Sequence, residues 1–458
     1  MQNQETMKQA EELQAFLEAN PDVELIEALV PDVNGVLRGK RVPRSTVEKI
    51  FKKGIRLPLS VFALDIWGHD VPEAGLLFET GDGDGTCFPV PGSLQAVPWL
   101  KHPTGQILLS MQNKEGEPFY ADPRVLLQRV LSRFDDLGLT PVVATELEFY
   151  LLDAKRNVDG SLRFPESPLT GGCEVGGQLF RMDQIHDFED LFFEFSSVCK
   201  AQGIPVDTLI KEGAPYQFEL NLNHQADAVM AADHAVLLKR AIKGISAKHG
   251  LVSTFMAKPL GEESGNGLHI HFSLLDREGR NVFADGGTTG TPMLMHAVAG
   301  LAATMKESMA IFAPNANSYR RFQPGCHAPL SPAWGYDNRT TALRIPGDDP
   351  QAIRVEHRVS GADANPYLVL AIMLAGAHYG IVNQMEAPPV TSGDAYALPA
   401  TLPNSWELAL NSFDASTFVR EYLGDEFHKL YSACKWQELW ELKKKVSSAE
   451  YDAYLRTV

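Results

Sequence analysis

Cysteine is scarce in this chain of 458 residues. There are five, Cys87, Cys173, Cys199, Cys326 and Cys434, an odd number with no Cys-x-x-Cys pair. That pattern excludes a disulfide framework, a zinc ribbon and a thioredoxin-like redox motif, and it predicts reduced thiols. Long apolar runs are missing too: no stretch approaches the ~20 residues of a membrane-spanning helix. The first residues are polar and acidic, without the apolar core of a secretory signal, so a cytoplasmic location is expected. Basic charge is in deficit. Forty-one Lys and Arg against 58 Asp and Glu leave a formal net charge of −17, which argues against nucleic acid, whose phosphates require a basic footprint. There is no phosphate-binding P-loop lysine motif and no dinucleotide-type G-x-G-x-x-G at a strand–helix turn.

What is present is the composition of a globular protein, 44% hydrophobic and 22% charged. The length suits two or three domains. Glu5 to Asn20 carries Met7, Ala10, Leu13, Phe16 and Leu17 at helical spacing. The run 23–30, a turn at 31–35 and a second run at 36–42 predict a hairpin. Ser45 and Glu48 have the spacing of a capping box opening a short helix. The acidic, Gly-rich 81–85 segment predicts a loop and lacks the later ligands of a calcium site. A strand is expected over 105–111. Asp122-Pro123 marks a helix start and, just before it, a domain boundary. Helices are expected over 226–249 and 368–380. Strands, then helices, then strands indicate an α+β fold.

Four predicted strands share one habit. In Ala144 to Tyr150, Glu146 and Glu148 fall on one face. In Gly267 to Ser273, His269, His271 and Ser273 do the same. In Gln217 to Asn221, Glu219 lies between two amides. In Arg354 to Arg358, Glu356 lies between two arginines. Side chains alternate along a strand with period two, so each set projects to one side. With Glu212, these groups give five carboxylates and one imidazole, His269, as candidate metal ligands. That mixture suits Mg2+ or Mn2+ better than zinc. A lone strand Glu is ordinarily a solvated edge. Several packed together repel unless a cation lies between them. Arg321, Arg339, Arg344, Arg354 and Arg358 form a second cluster, and the arginine fork suits phosphate and carboxylate. Gly265-Asn266-Gly267 leads into the His strand and allows a ligand close to the backbone. Cys326-His327 offers a poor nucleophile pair, because sequence neighbours usually point apart.

These motifs resemble the glutamine synthetase superfamily over nearly the whole chain. They are Thr145 to Tyr150, Glu212 to Glu219, Lys258-Pro259, Ser264 to His271, Asn338-Arg339-Thr340, Arg344-Ile345-Pro346, Arg354 to Arg358 and Asp363 to Pro366, in the family's order. The resemblance implies an N-terminal β-grasp domain (1–118) and a larger catalytic domain with a curved antiparallel sheet (119–458). It implies a homo-oligomer of two stacked rings, with a dodecamer expected, and active sites between neighbouring subunits. It places one metal on Glu148, Glu212 and Glu219 and a second on Glu146, His269 and Glu356. ATP contacts fall on Ser273 and Arg354 with His271 nearby, phosphate-stabilising arginines on Arg339 and Arg344, and glutamate contacts on Gly265, Arg321 and Arg358. The implied chemistry is phosphorylation of glutamate to γ-glutamyl phosphate, followed by displacement of the phosphate by an amine.

Departures from the family pattern concern the amine. Ammonia-using members carry an acid in the loop matching Arg56 to Ser60, where Pro58 stands here. They carry a flap Glu where this chain has His327, and a tyrosine that aligns with Gln178. Ammonium needs carboxylates, and an imidazole can still serve as a base near neutral pH. Together with the segments 318–325 and 333–339, this resembles the γ-glutamylpolyamine synthetase branch, which joins glutamate to putrescine or a longer polyamine in polyamine breakdown. Asp65, Trp67 and Tyr336 are candidates for the second cation of such a substrate. Tyr216 replaces a glycine common in the family, and Tyr396 aligns with a tyrosine that some members modify. Three rivals follow: glutamine synthetase using ammonia, a catalytically silent relative, and a guanidino kinase. Arg321 and Arg358 argue against the last. Ethanolamine or an alkylamine remain open as amines.

Overall fold

The computed structural model describes residues 2–79, 81–174, 176–323, 325–347 and 349–458. Pro324 of the 318–325 motif therefore lies outside the described residues. Two sheets organise the chain. The first contains β1 (Leu25–Pro31), β2 (Leu37–Pro43), β3 (Ile55–Pro58), β4 (Asp84–Pro89), β5 (Gln95–Ala96) and β6 (Thr104–Gln112). Its order is β2-β1-β6-β4-β3, with β5 also on β6. β1 and β6 run parallel at its centre. The second contains β7 (Thr140–Asp153), β8 (Val206–Lys211), β9 (Gln217–Leu222), β10 (Leu251–Thr254), β11 (Leu268–Leu275), β12 (Trp334–Tyr336), β13 (Leu343–Ile345) and β14 (Val355–His357). Its order is β12-β13-β14-β11-β7-β9-β8, with β10 also on β7. Every pair in it is antiparallel except β12 with β13 at one edge. This is the expected α+β fold.

Local chemistry accounts for most of the elements foreseen. The β1–β2 hairpin pairs Leu25 with Pro43 and Pro31 with Leu37. Asp122 caps the helix Pro123–Asp136, accepting from the Arg124 amide at 2.9 Å, with proline at the first helical position. The helix Ala228–Lys248 starts at Asp227, whose carboxylate accepts from the amides of Val229 and Met230. The helix Pro366–Val382 is apolar nearly all round and correspondingly buried. One expectation fails. Residues Arg44–Thr46 form a 3-10 turn, and the cap of the helix Val47–Lys53 is Thr46, without a side-chain cap bond. The Thr46 hydroxyl turns back to the Pro43 carbonyl instead, at 2.9 Å, so Ser45 and Glu48 make no capping box. The Gly-rich loop is also shorter than expected, since Asp84 and Gly85 already belong to β4.

The two sheets are joined by buried polar contacts. Glu438 and Lys435, both inaccessible, pair at 2.9 Å on the helix Asp425–Lys443. Asn34, in the β1–β2 turn, donates to Glu438 at 3.1 Å, as does the Ile66 amide at 2.8 Å. Asn365, which caps Pro366–Val382, donates from its side chain to the Asp32 carbonyl at 2.9 Å. No helix among the described residues is long and apolar enough to cross a membrane.

Candidate active site

β7, β9, β11 and β14 are neighbours in the second sheet, and their register puts the polar faces side by side. Glu146 pairs with His269 across β7–β11, Glu148 with Glu219 across β7–β9, and His271 with Glu356 across β11–β14. Directly opposed residues have Cβ atoms about 4.5–5.5 Å apart. Two groups result, Glu146–His269–Glu356 and Glu148–Glu219–His269, each with potential ligand atoms within 4.8 Å of one another. His269 belongs to both. Glu212 directly follows β8, the strand beside the one that carries Glu219, and lies outside these two groups, though its charge bears on Glu219 and feels Glu148.

Electrostatics set the carboxylates apart. Burial, then repulsion from Glu148, Glu146 and Glu212, pushes Glu219 up to about 9. Burial and Glu148 push Glu212 up to about 7. Glu146 is also buried, but hydrogen bonds with His269 (3.2 Å) and His271 (2.8 Å) outweigh burial and hold it below the usual carboxylate range. Burial opposes ionisation of Glu356, and the charge of Arg358 and the two histidines brings it down to about 2. The crowding of buried acids around one imidazole is the donor set that a hard divalent cation takes, so the residues fit Mg2+ or Mn2+.

The arginines divide. Arg344 is buried and bridges Glu356 (2.7 Å) and Asp337 (2.5 Å). Arg358 pairs with the other oxygen of Glu356. Arg354 donates to His271 Nδ1 at 3.1 Å, which links it through that ring to Glu146. Arg321 is buried and donates to the Val359 carbonyl at 3.0 Å. Its chain explains Gly265: a Cβ there would lie 2.6 Å from Arg321 Cγ and 2.6 Å from the Ala257 carbonyl. Arg339 stands apart, exposed on a turn and hydrogen-bonded to nothing among the described residues. It lines a hollow of about 760 Å3 with Tyr336, Asp337 and Asp394. Ser273 lies half-buried on β11, two positions from His271. His327 is exposed on the loop after Arg321, at φ +56. The Tyr396 hydroxyl donates to its carbonyl at 2.9 Å, and the two rings meet edge to face at 5.9 Å.

The candidates for a remote cation fare less well. Asp65 is inaccessible and serves as a turn anchor, accepting from the amides of Trp67 (2.9 Å) and His69 (2.8 Å) and from the Gln437 side chain (3.1 Å). Trp67 lies under Lys445 at 4.4 Å and lines a cavity of about 890 Å3 whose walls include none of the metal-ligand or arginine candidates. The Tyr336 hydroxyl is spent on the Thr289 carbonyl at 2.8 Å. Sequence reasoning missed Gln217, which donates to Glu148 (3.4 Å), Gly265 (3.0 Å) and Asn266 (3.0 Å) and ties two of the strands together. Its place two residues before Glu219 on the same strand face was the available signal.

With the geometry in place, comparison with known proteins decides the family. The profile described as glutamine synthetase, catalytic domain, matches residues 120–454. The chain belongs to the glutamine synthetase family. Among curated relatives of that family, gamma-glutamylputrescine synthetase PuuA of Escherichia coli (strain K12) is 41% identical over 449 residues, covering 97% of this chain and 94% of that protein. Glutamate–isopropylamine ligase of a Pseudomonas species is 34% identical over 456 residues, covering 97% of each. A solved structure of GmaS without ligand superposes with a TM-score of 0.83 at 27% identity, covering 96% of this chain and 98% of that one. Membership of the glutamine synthetase family carries the coarse chemistry, ATP-dependent ligation of glutamate to an amine.

Proposed function

We propose that the protein joins the γ-carboxylate of glutamate to one amine of a polyamine such as putrescine or spermidine, through γ-glutamyl phosphate. The feature that carries this reading is the sequence resemblance at the flap, in which His327 stands where ammonia-using members carry a carboxylate. The likeness to a putrescine-using relative supports it.

Arg321 and Arg358, with the Gly265 backbone, hold glutamate, and Ser273, His271 and Arg354 hold the nucleotide. Glu148, Glu212 and Glu219 would hold one divalent cation, and Glu146, His269 and Glu356 the other. Such cations, when bound, would supply positive charge that screens the phosphate oxygens. A γ-carboxylate oxygen of glutamate bonds to the terminal phosphorus of ATP and ADP leaves. Arg339 and Arg344 stabilise charge on the transferred group. The amine nitrogen then bonds to the acyl carbon, phosphate leaves, and His327 takes the proton. The assembly is a homo-oligomer of stacked rings, a dodecamer, which sedimentation at assay concentration would show.

The test is ADP release from glutamate and ATP with Mg2+ or Mn2+, using putrescine, spermidine, isopropylamine, ethanolamine or ammonium at equal concentration. Diamines or triamines are expected to give the highest kcat/KM. Ammonium turning over as well as putrescine would overturn the reading in favour of glutamine synthetase. Preference for a monoamine would move the substrate to the alkylamine class, and no release with any amine would mark a silent relative.

A further inference from the structure

Glu212 sits at the end of β8, and residues 213–216 return the chain to β9. The return ends at Tyr216, which has φ +55, a left-handed conformation that side chains with a Cβ avoid. Glycine is the natural residue there, and the family pattern has it. Something must hold a tyrosine in that shape.

The holding group comes from far along the chain. Glu174 lies in the long excursion between β7 and β8. Its carboxylate accepts from the Tyr216 amide at 2.9 Å, and its own amide donates to the Tyr216 hydroxyl at 2.5 Å. The tyrosine ring stacks on Phe164, also from the excursion, with centroids 5.0 Å apart and planes 19° from parallel. The other carboxylate oxygen of Glu174 lies 3.5 Å from the Lys211 ammonium. Lys211 is fully buried, an unusual place for a lysine. Its ammonium donates to the carbonyls of Glu212 (2.8 Å) and Ala214 (2.7 Å), on either side of Gly213. Gly177 seats the excursion on the same loop, for a Cβ there would lie 1.8 Å from the Gly213 carbonyl.

All these contacts converge on the peptide units around Glu212 and none reaches its carboxylate. That carboxylate is crowded by Glu148, is hydrogen-bonded by the Gly213 amide of the same loop, and has no hydrogen bond to another side chain among the described residues. Left to a mobile loop it would turn to water. We propose that Glu174, Lys211 and Tyr216 form a clamp that positions Glu212 for divalent-cation binding, with Tyr216 replacing glycine as a working part of it. The inference rests on the assignment of Glu212 to a metal site, and it adds three positioning residues that touch neither cation nor substrate.

The experiment is a Mn2+ titration of the full-length protein without substrates, read by electron paramagnetic resonance, with thermal unfolding of each variant alongside. Glu212→Ala should lose one of two Mn2+ per chain. Glu174→Gln and Tyr216→Phe should each keep both and bind one of them roughly tenfold more weakly, as is usual for groups that orient a ligand. Tyr216→Gly should weaken the same site although it relieves the backbone. Unchanged affinity in Glu174→Gln and Tyr216→Phe, beside a lost site in Glu212→Ala, would overturn the clamp alone. Two intact sites in Glu212→Ala would overturn the metal assignment and the clamp with it. Because Lys211→Met leaves Glu174 buried without its ion pair, it is read only if its unfolding temperature matches the wild type; weakening of one site is then expected, and unchanged affinity counts against the clamp.

Discussion

His327 is held in place by its backbone, while its ring is largely free. Its carbonyl takes the Tyr396 hydroxyl at 2.9 Å, and its exposed ring rests edge-on against the same tyrosine. A base placed this way can turn toward an amine while the loop beneath it stays fixed. His327→Ala is therefore expected to leave glutamate-dependent ADP release nearly intact and to slow amide formation by about a hundredfold, the low end of what a positioned base supplies. Tyr396→Phe removes one hydrogen bond and should slow amide formation about fivefold, near 1 kcal/mol. Labelled glutamate, followed into amide and compared with ADP, checks both. Equal loss of ADP and amide in His327→Ala would give His327 a structural role only. At this scale much of the site was legible in the sequence. Period-two spacing put Glu146 with Glu148 and His269 with His271, and the structure brings Glu146, His269 and Glu356 within ligand distance. The pairing of Glu174 with Lys211 was not legible, because it joins residues 37 positions apart with no periodicity between them. Asp65 was misread for a related reason. An acid beside a tryptophan has the same spelling whether it faces a substrate or anchors a turn, and here it anchors one.

Between elements, the helices Pro292–Phe312 and Pro366–Val382 approach closely. A Cβ on Gly300 would lie 2.1 Å from the Gly376 carbonyl, and one on Gly380 would lie 2.0 Å from the His296 carbonyl. Backbone therefore touches backbone, with no flexible side chain to yield. Gly300→Ala and Gly380→Ala should each destabilise the fold by about 1–3 kcal/mol, the usual cost of overpacking, as read from urea unfolding. A change below about 0.5 kcal/mol, typical of surface sites, would show that the helices can separate cheaply. Element boundaries were legible where a polar residue fixed them and was read as a cap, as at Asp122, whose side chain caps its helix. They were illegible at Ser45, where the local backbone prefers a 3-10 turn and the neighbouring hydroxyl has a nearer acceptor. Of the three-residue strands, β14 was legible from the alternation in Arg354 to Arg358, whereas β12 and β13 are too short to declare a period and were not foreseen.

For the molecule as a whole, the decisive feature is the polar junction at Asn34, Lys435 and Glu438. Glu438→Ala would leave the Lys435 ammonium buried without its counter-ion, a loss of about 3–5 kcal/mol. The expected result is a lower unfolding temperature. Replacing the pair together, as Lys435→Met with Glu438→Leu, should recover part of it, and no loss in Glu438→Ala would mean that water reaches the lysine. The same junction limits relative movement of the two sheets. A hinge between the two sheets would have to break the Asn34–Glu438 and Asn365–Asp32 bonds at every turnover. The protomer is thus expected to work as a solid block, not as a pair of jaws, and scattering profiles of the molecule should look alike before and after nucleotide is added.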